Sequence, residues 1–292
     1  MKKRKLKAED FILDFVVYSI LIVLTLICFL PIWHIVVASF SNSTDIALAD
    51  GLMLWTKKVD LGAFKLVFQD EALIGGFKNT LLVLLGSLPI NIVMTLLCAY
   101  FLASTNMMWK KLFSAMLMFT MFFSGGLIPS YLNIKSLGLG DSLWVLILPT
   151  ALTTYNAMIC KTSIEAIPDS LRESAYLDGA NDFQVIFKII LPLIKATIAV
   201  ITLYYGVSHW NAWFDASIYI TTPDKLPMQN ILRSILIANS NPDEVMDADT
   251  YNLYAETIKY AAIVIGTAPI MCVYPFLQKY FTKGALIGAV KG

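Results

Sequence analysis

The chain has 292 residues, 58% of them hydrophobic and 15% charged, and its formal net charge is +1. Mean hydropathy is +0.69, well above that of a soluble globular domain, and so balanced a charge leaves no electrostatic footprint for nucleic acid. Six apolar runs, at 11–38, 79–103, 112–132, 142–161, 193–220 and 257–281, each come near the roughly 20 residues that a bilayer crossing needs, which excludes a soluble single-core protein.

Lys2, Lys3, Arg4, Lys5 and Lys7 precede the first run. No small-residue cleavage site follows, and the run is too long for a signal-peptide core, so it is expected to stay as a span. With the N-terminus inside, 14 of the 22 basic residues fall on the inner side. The expectation is a multi-pass protein of the cell membrane with both termini cytoplasmic. Residues 1–74 then hold the N-terminal tail, the first span and a mostly polar outer loop. Residues 75–281 form one unit of five spans, and 282–292 a short tail. The expected fold is all-α and polytopic, with six transmembrane helices and a cytoplasmic helix pair between spans four and five.

Further along, Gly125, Gly126 and Pro129 end the third run, and Leu137-Gly138-Leu139-Gly140 makes a turn before the fourth. Cys28, Cys98, Cys160 and Cys272 are scattered with no CxxC, and read as small apolar residues. The two histidines, His34 and His209, lie far apart, which argues against a catalytic zinc site.

Residues 165–192, EAIPDSLRESAYLDGANDFQVIFKIILP, interrupt the apolar pattern between spans four and five. Pro168 and Asp169 read as a helix start, with Asp169 as N-cap. Leu171, Ala175 and Tyr176 share a face of the short helix that follows. Gly179 breaks it, as a residue free to adopt positive φ does. A second helix then places Phe183, Ile186, Phe187, Ile190 and Leu191 at i, i+3, i+4, i+7 and i+8. Glu173, Asp178 and Asp182 are expected to face the cytoplasm.

The fifth run is the most polar inside, with Tyr204, Tyr205, Ser208, His209, Trp210, Asn211, Trp213 and Asp215. Polar groups at membrane depth face a cavity or a partner helix. Tyr205, His209, Trp210, Asn211 and Asp215 are therefore candidates for a substrate route, and bonding between helices is the plainer reading. By turn spacing Asp215 shares the face of Asn211. After it comes an outer loop, 221–256, carrying Asp243, Glu244, Asp247 and Asp249. That loop is either a solvated cover or a docking surface. The chain contains no G-x-x-x-x-G-K-[ST], and so no phosphate cradle of the P-loop kind, and no G-x-S-x-G or H-E-x-x-H.

The 165–192 segment resembles the coupling loop of bacterial ABC importer permeases, written E-A-A, three residues to D-G-A, then F-x-x-I-x-L-P. Glu173, Ala175, Asp178, Gly179, Ala180, Ile189, Leu191 and Pro192 fall in register. Ser174 stands where Ala is usual, and Ile186 where Phe is usual. The entry Lys78-Asn79-Thr80, the stretch 124–149 and the Gly-rich end from Lys279 to Gly292 are similar to the second permease subunit of maltose-type carbohydrate importers. HWNAWFDA looks like the subgroup handling complex or acidic oligosaccharides.

The resemblance implies a transport subunit rather than an enzyme, in a heterodimer with a similar permease. It implies two ATPase subunits that bind ATP and Mg, with no cofactor on this chain. It also implies an extracytoplasmic solute-binding protein that delivers a carbohydrate. Glu173, Ser174, Ala175, Asp178, Gly179, Ala180 and Phe183 would meet the ATPase, and Gly284, Ala285, Gly288 and Lys291 of the tail would reach toward it. Asp243, Glu244, Asp247 and Asp249 would meet the binding protein. Importers of other solutes share the loop. An ion-coupled secondary transporter is the competing class, but Asp14 and Asp215 are the only carboxylates within the six runs, and no internal repeat is evident.

Overall fold

The computed structural model describes residues 8–49, 51–104, 107–238, 257–273 and 275. These are almost wholly helical; a single antiparallel bridge, Ser41 to Val59, is the only β pairing among them. They divide into two units. One takes the residues up to Asp70 with Leu232–Thr267, and the other takes Glu71–Ile231 with the residues from Ala268 on.

In the first unit, α1 (Ala8–Ser39) is apolar on every side, and none of its most hydrophobic window is buried. A helix of that length and character has lipid or other membrane helices as its natural surroundings. Below it, α2 (Ser43–Ala47) is capped by Asn42, whose Oδ1 accepts from the Thr44 N–H at 3.1 Å. α3 (Gly62–Gln69) follows, its Phe64 ring resting on Phe40. His34 Nδ1 accepts the Met53 N–H at 2.9 Å, and its ring meets Tyr260 edge-on. That bond makes His34 a structural acceptor rather than a ligand.

The second unit is built on α4 (Glu71–Ala103), about 50 Å long at 1.5 Å per residue. Its buried stripe runs Gly76, Thr80, Val83, Ser87, Asn91, Thr95, Ala99. Small and polar residues at that spacing let neighbouring helices approach closely while Leu81, Leu82 and Leu85 face outward. The pattern is the inverse of a soluble helix.

The remaining runs are not straight rods. α5 (Lys110–Phe122) and α6 (Leu127–Ser136) meet at 116°, because Gly125 and Gly126 sit between them and Gly126 takes φ +90°. The 142–161 run divides into α7 (Trp144–Ile147) and α8 (Thr154–Glu165) around Pro149, which disfavours helix at the residue before it and has no N–H to donate. The 193–220 run divides into α12 (Lys195–Trp210) and α13 (Phe214–Tyr219). Two described helices, α1 and α4, are long and apolar enough to cross a membrane singly, and up to four crossings result if each bent pair is one span. α14 (Met228–Ala238) and α15 (Thr257–Val273) complete the described residues.

Candidate functional site: the helical knob and the polar span

α8 ends at Glu165, with Ala166 as its C-cap. Pro168 takes the N-cap position of α9 (Asp169–Leu177) and offers no capping side chain. Asp169 is thus the first helical residue rather than the cap. Its carboxylate pairs with Arg172 one turn on, and its charge suits the positive end of the helix. Gly179 has φ +82°, and a Cβ there would meet nothing within 4 Å. Its N–H donates to the Tyr176 carbonyl at 3.0 Å, and the Ala180 N–H donates to the Ala175 carbonyl at 2.9 Å. This bond pair is a Schellman closure, which requires the left-handed residue. Asn181 then caps the next helix reciprocally: its Oδ1 accepts the Gln184 N–H at 2.9 Å, and Gln184 Oε1 accepts the Asn181 N–H at 3.0 Å.

α10 (Asp182–Gln184) passes into a π-helical stretch, Val185–Ile190, and then α11 (Leu191–Leu193), before the chain turns by 87° into α12. The wide turn sits just before Pro192, whose ring crowds the carbonyl four residues back and whose nitrogen has no proton to donate. The shift of period corrects the expected face. Val185, Ile186 and Ile190 are buried, whereas Phe183 and Phe187 stand exposed. In α9 the expected face also divides, because Ala175 is buried while Leu171 and Tyr176 are exposed. Ala175 packs into a core with Ala99, Tyr100, Ala103 and Ile164. Glu173, Ser174, Asp178 and Gly179 are exposed, and Ala180 is half-buried.

Three oxygens join the knob to α4. Tyr100 Oη lies 2.6 Å from Tyr176 Oη and 2.9 Å from Asp182 Oδ1, and the Tyr176 hydroxyl donates to Asp182 Oδ1 at 2.6 Å. Burial and the bond to Asp182 both push the Tyr176 hydroxyl pKa up, and the bond from Tyr100 works against them. Beside these groups lies a polar pocket of about 440 Å³, lined by Ser104, Asp169, Arg172 and Glu173 as well.

The polar residues of α12 have different surroundings. Tyr205, 3% exposed, bonds Thr95 Oγ1 at 2.8 Å and accepts the Thr153 N–H at 3.0 Å. His209, 6% exposed, has its Nε2 3.0 Å from Asn91 Oδ1, and Asn91 Nδ2 donates to the Thr150 carbonyl at 2.6 Å. Both bind helices together. Trp210 is buried edge-on against Phe77, at the rim of an apolar pocket of about 340 Å³ that Gly206 and Ile270 also line. Asn211 and Asp215 are exposed. They do not share a helical face, because Asn211 is the C-cap of α12 and donates back to the Val207 carbonyl at 3.0 Å.

On the expected outer side, Asp141 is a node that sequence reasoning missed. Its carboxylate accepts the Thr221 and Thr222 N–H groups at 3.0 and 2.9 Å and lies 2.9 Å from Lys225 Nζ. Lys225 first, and then Thr222 and Thr221, hold its carboxyl well below the usual carboxylate range. The loop from 221 is also more ordered than expected. Met228, Ile231, Leu232 and Ile235 sit at i, i+3, i+4 and i+7 and form α14. That spacing was there to be seen. Asp243, Glu244, Asp247 and Asp249 lie outside the described residues, as do Gly284, Ala285, Gly288 and Lys291.

Comparison with known proteins agrees with this arrangement. Residues 8–286 match the family model described as "Binding-protein-dependent transport system inner membrane component". The polygalacturonan/rhamnogalacturonan transport system permease protein YtcP of Bacillus subtilis is 38% identical over 285 residues, covering 96% of this chain and 98% of that protein. Protein LplC of the same organism is 38% identical over 270 residues, covering 91% and 90%. Among solved structures, a chain of a bacterial ABC transporter involved in the import of the acidic polysaccharide alginate superposes with a TM-score of 0.87 at 27% identity, covering 96% of this chain and all (100%) of that one. The chain belongs to the family of binding-protein-dependent transport system inner membrane components.

Proposed function

We propose that this chain is the permease subunit of an ATP-driven importer for an oligosaccharide released from an acidic polysaccharide. The observation that carries the substrate class is the full-length identity of 38% to a polygalacturonan/rhamnogalacturonan permease. The alginate importer chain, covered end to end, points the same way. The subunit itself is not an enzyme. ATP and Mg are held by two ATPase subunits, the sugar arrives on an extracytoplasmic binding protein, and a second permease completes the channel.

In this reading the chain crosses the membrane six times with both termini inside, and the shorter helices of the apolar 142–161, 193–220 and 257–281 runs supply the crossings beyond α1, α4 and the bent pair α5–α6. The 165–192 knob is the part the ATPase grips. Its exposed Glu173, Asp178 and Phe183 supply the contact, and the polar pocket beside Glu173 has the carboxylates to take a cationic side chain. Buried Ala175 does a different task, because its small side chain lets the knob sit down on α4. Asn211 and Asp215, at the break between α12 and α13, are what this subunit offers to a sugar route. An acidic sugar would be repelled by Asp215, so the cation that such a substrate needs belongs elsewhere in the assembly.

The test is uptake of labelled galacturonide oligomers into proteoliposomes holding the whole importer, with binding protein outside and ATP inside. ATP-dependent uptake of the acidic oligomers in preference to neutral ones supports the proposal. Uptake that an ion gradient drives without the ATPase would overturn it in favour of a secondary transporter. ATP-driven uptake of a non-sugar solute alone would keep the class and reject the substrate.

A further inference from the structure

The knob is fused by its backbone to α8 and α12, yet both joins are turns. Pro168 sits extended at one end, and Ile194 breaks the helix at the other, where the chain bends by 87°. A turn is a poor lever. Apolar packing seats the knob on α4, and the side-chain hydrogen bonds that fix it there run through Tyr100, which lies 76 residues from Tyr176 and 82 from Asp182 in sequence. Two hydroxyl protons serve the three oxygen–oxygen contacts of this cluster. Either both tyrosines donate to the carboxylate, or one donates to the other, which passes the bond on. Both arrangements need Tyr100 on α4 and Asp182 on the knob.

The opposite end of α4 is fastened as well. Asn79 Nδ2 donates to the backbone carbonyls of Asp224 and Leu226 at 2.7 and 3.1 Å, and the Met228 N–H donates to Thr80 Oγ1 at 2.9 Å. Asp141 holds the same segment through Thr221, Thr222 and Lys225. Asn79 and Tyr100 are separated by about 32 Å of helix, close to the thickness of the hydrocarbon core. One helix therefore carries a hydrogen-bonded fastening at each end.

We propose that Tyr100, Tyr176 and Asp182 form a latch that fixes the knob to α4, so that a displacement of the knob reaches the outer segment Thr221–Met228 along that helix. The inference rests on the importer reading above. Tyr100 and Asp182 are positioning residues: they act through α4 and touch no nucleotide and no sugar.

Tyr100→Phe keeps the ring and removes its hydroxyl, and Asp182→Leu keeps the approximate size and removes the acceptor. Each is to be made in the complete importer, reconstituted with its ATPase and binding protein. Three quantities are read: ATPase subunits retained on purification, sugar taken up per ATP hydrolysed, and labelling of Asp224→Cys by a membrane-impermeant maleimide, followed on the peptide carrying residue 224. Retention should match the parent. Uptake per ATP should fall about tenfold, the low end for a lost hydrogen bond to a charged group because Asp182 is partly hydrated. The change in labelling at residue 224 that nucleotide and binding protein produce in the parent should shrink by a similar factor. The double variant should be no worse than either single one, since both open the same latch.

An unchanged uptake ratio and labelling response would overturn the proposal. So would loss of the ATPase subunits from the variants, because the cluster would then only shape the docking surface. A parent that takes up sugar with ATP but shows no nucleotide response at residue 224 would overturn the latch alone, whereas a parent with no ATP-dependent uptake would remove the transport reading beneath it.

Discussion

Replacing Gly179 isolates one physical requirement, the left-handed turn between the two helices of the knob. No heavy atom lies within 4 Å of where a Cβ would stand, so within the subunit the penalty is conformational and not steric crowding. A non-glycine residue in that region is disfavoured by about 1–2 kcal/mol, a factor of roughly 5–30 in the population of the closed turn. Gly179→Val adds a β-branched side chain and should lie at the upper end, whereas Asn tolerates this backbone and Gly179→Asn should lie near the parent. Gly179→Pro is worse in kind, since it fixes φ near −65° where the native value is +82° and removes the N–H that donates to Tyr176. The spans are untouched, so membrane levels should stay normal. The assay is ATPase retention on purification, followed by binding-protein-stimulated ATP hydrolysis in proteoliposomes. The expected order of activity is Gly, Asn, Ala, Val, Pro. A Val variant with parental retention and hydrolysis would refute the turn argument. Asn and Val failing equally would refute it too, because the requirement would then be empty space for the ATPase rather than backbone freedom.

Asn91→Leu leaves both His209 Nε2 and the Thr150 carbonyl without their partner. It should destabilise the helix packing by about 1–2 kcal/mol in detergent, seen as a lower unfolding temperature, and a parental unfolding curve would show the bonds to be dispensable. Asp141 has a carboxyl depressed chiefly by Lys225. Its contribution is therefore full above the ordinary carboxylate range and is lost as pH falls through the depressed value. The outer segment should stay protected from hydrogen exchange at neutral and mildly acid pH, whereas Asp141→Gly, which keeps the positive φ and removes the acceptor, should release the Thr221 and Thr222 amides at every pH; unchanged exchange in that variant sinks the assignment. Cysteines placed at 211 and 215 should react with a water-soluble thiol reagent, and one at 205 should not. Equal protection of all three, in resting and ATP-bound importer alike, would remove the route from this subunit.

The knob was largely legible because its signals are local. Gly179 and the helix it ends are decided by neighbours within one turn, and the structure returns the positive φ and the two closing bonds. Asp169 moved by one place because Pro168, extended and without an N–H, takes the cap position itself. The face of the second helix was misread for a different reason. A period of 3.6 residues was applied across Val185–Ile190, where the helix is π-wound ahead of Pro192, so Phe183 and Phe187 turned outward and Val185 turned in. Hydropathy likewise marked where apolar residues run but not where they bend. The breaks at Gly125–Gly126, Pro149 and Asn211 lie inside stretches that average as apolar.

Bonds between distant parts of the chain leave no such local trace. Tyr205 and His209 were equally consistent with a sugar route and with helix bonding until their partners were known, and those partners, Thr95 and Asn91, are 110 and 118 residues away. Once paired and buried, the two have little left to offer a passing solute. The same reasoning separates Asn211 from Asp215. Turn spacing would join them only if α12 continued, and Asn211 ends it by bonding back to Val207. The break therefore consumes the amide of Asn211 in part and leaves the carboxylate of Asp215 free to face water. On the proposed reading, specificity for an acidic sugar cannot rest on that carboxylate, and the proposed coupling runs through the knob and α4 rather than through the polar residues of α12 and α13.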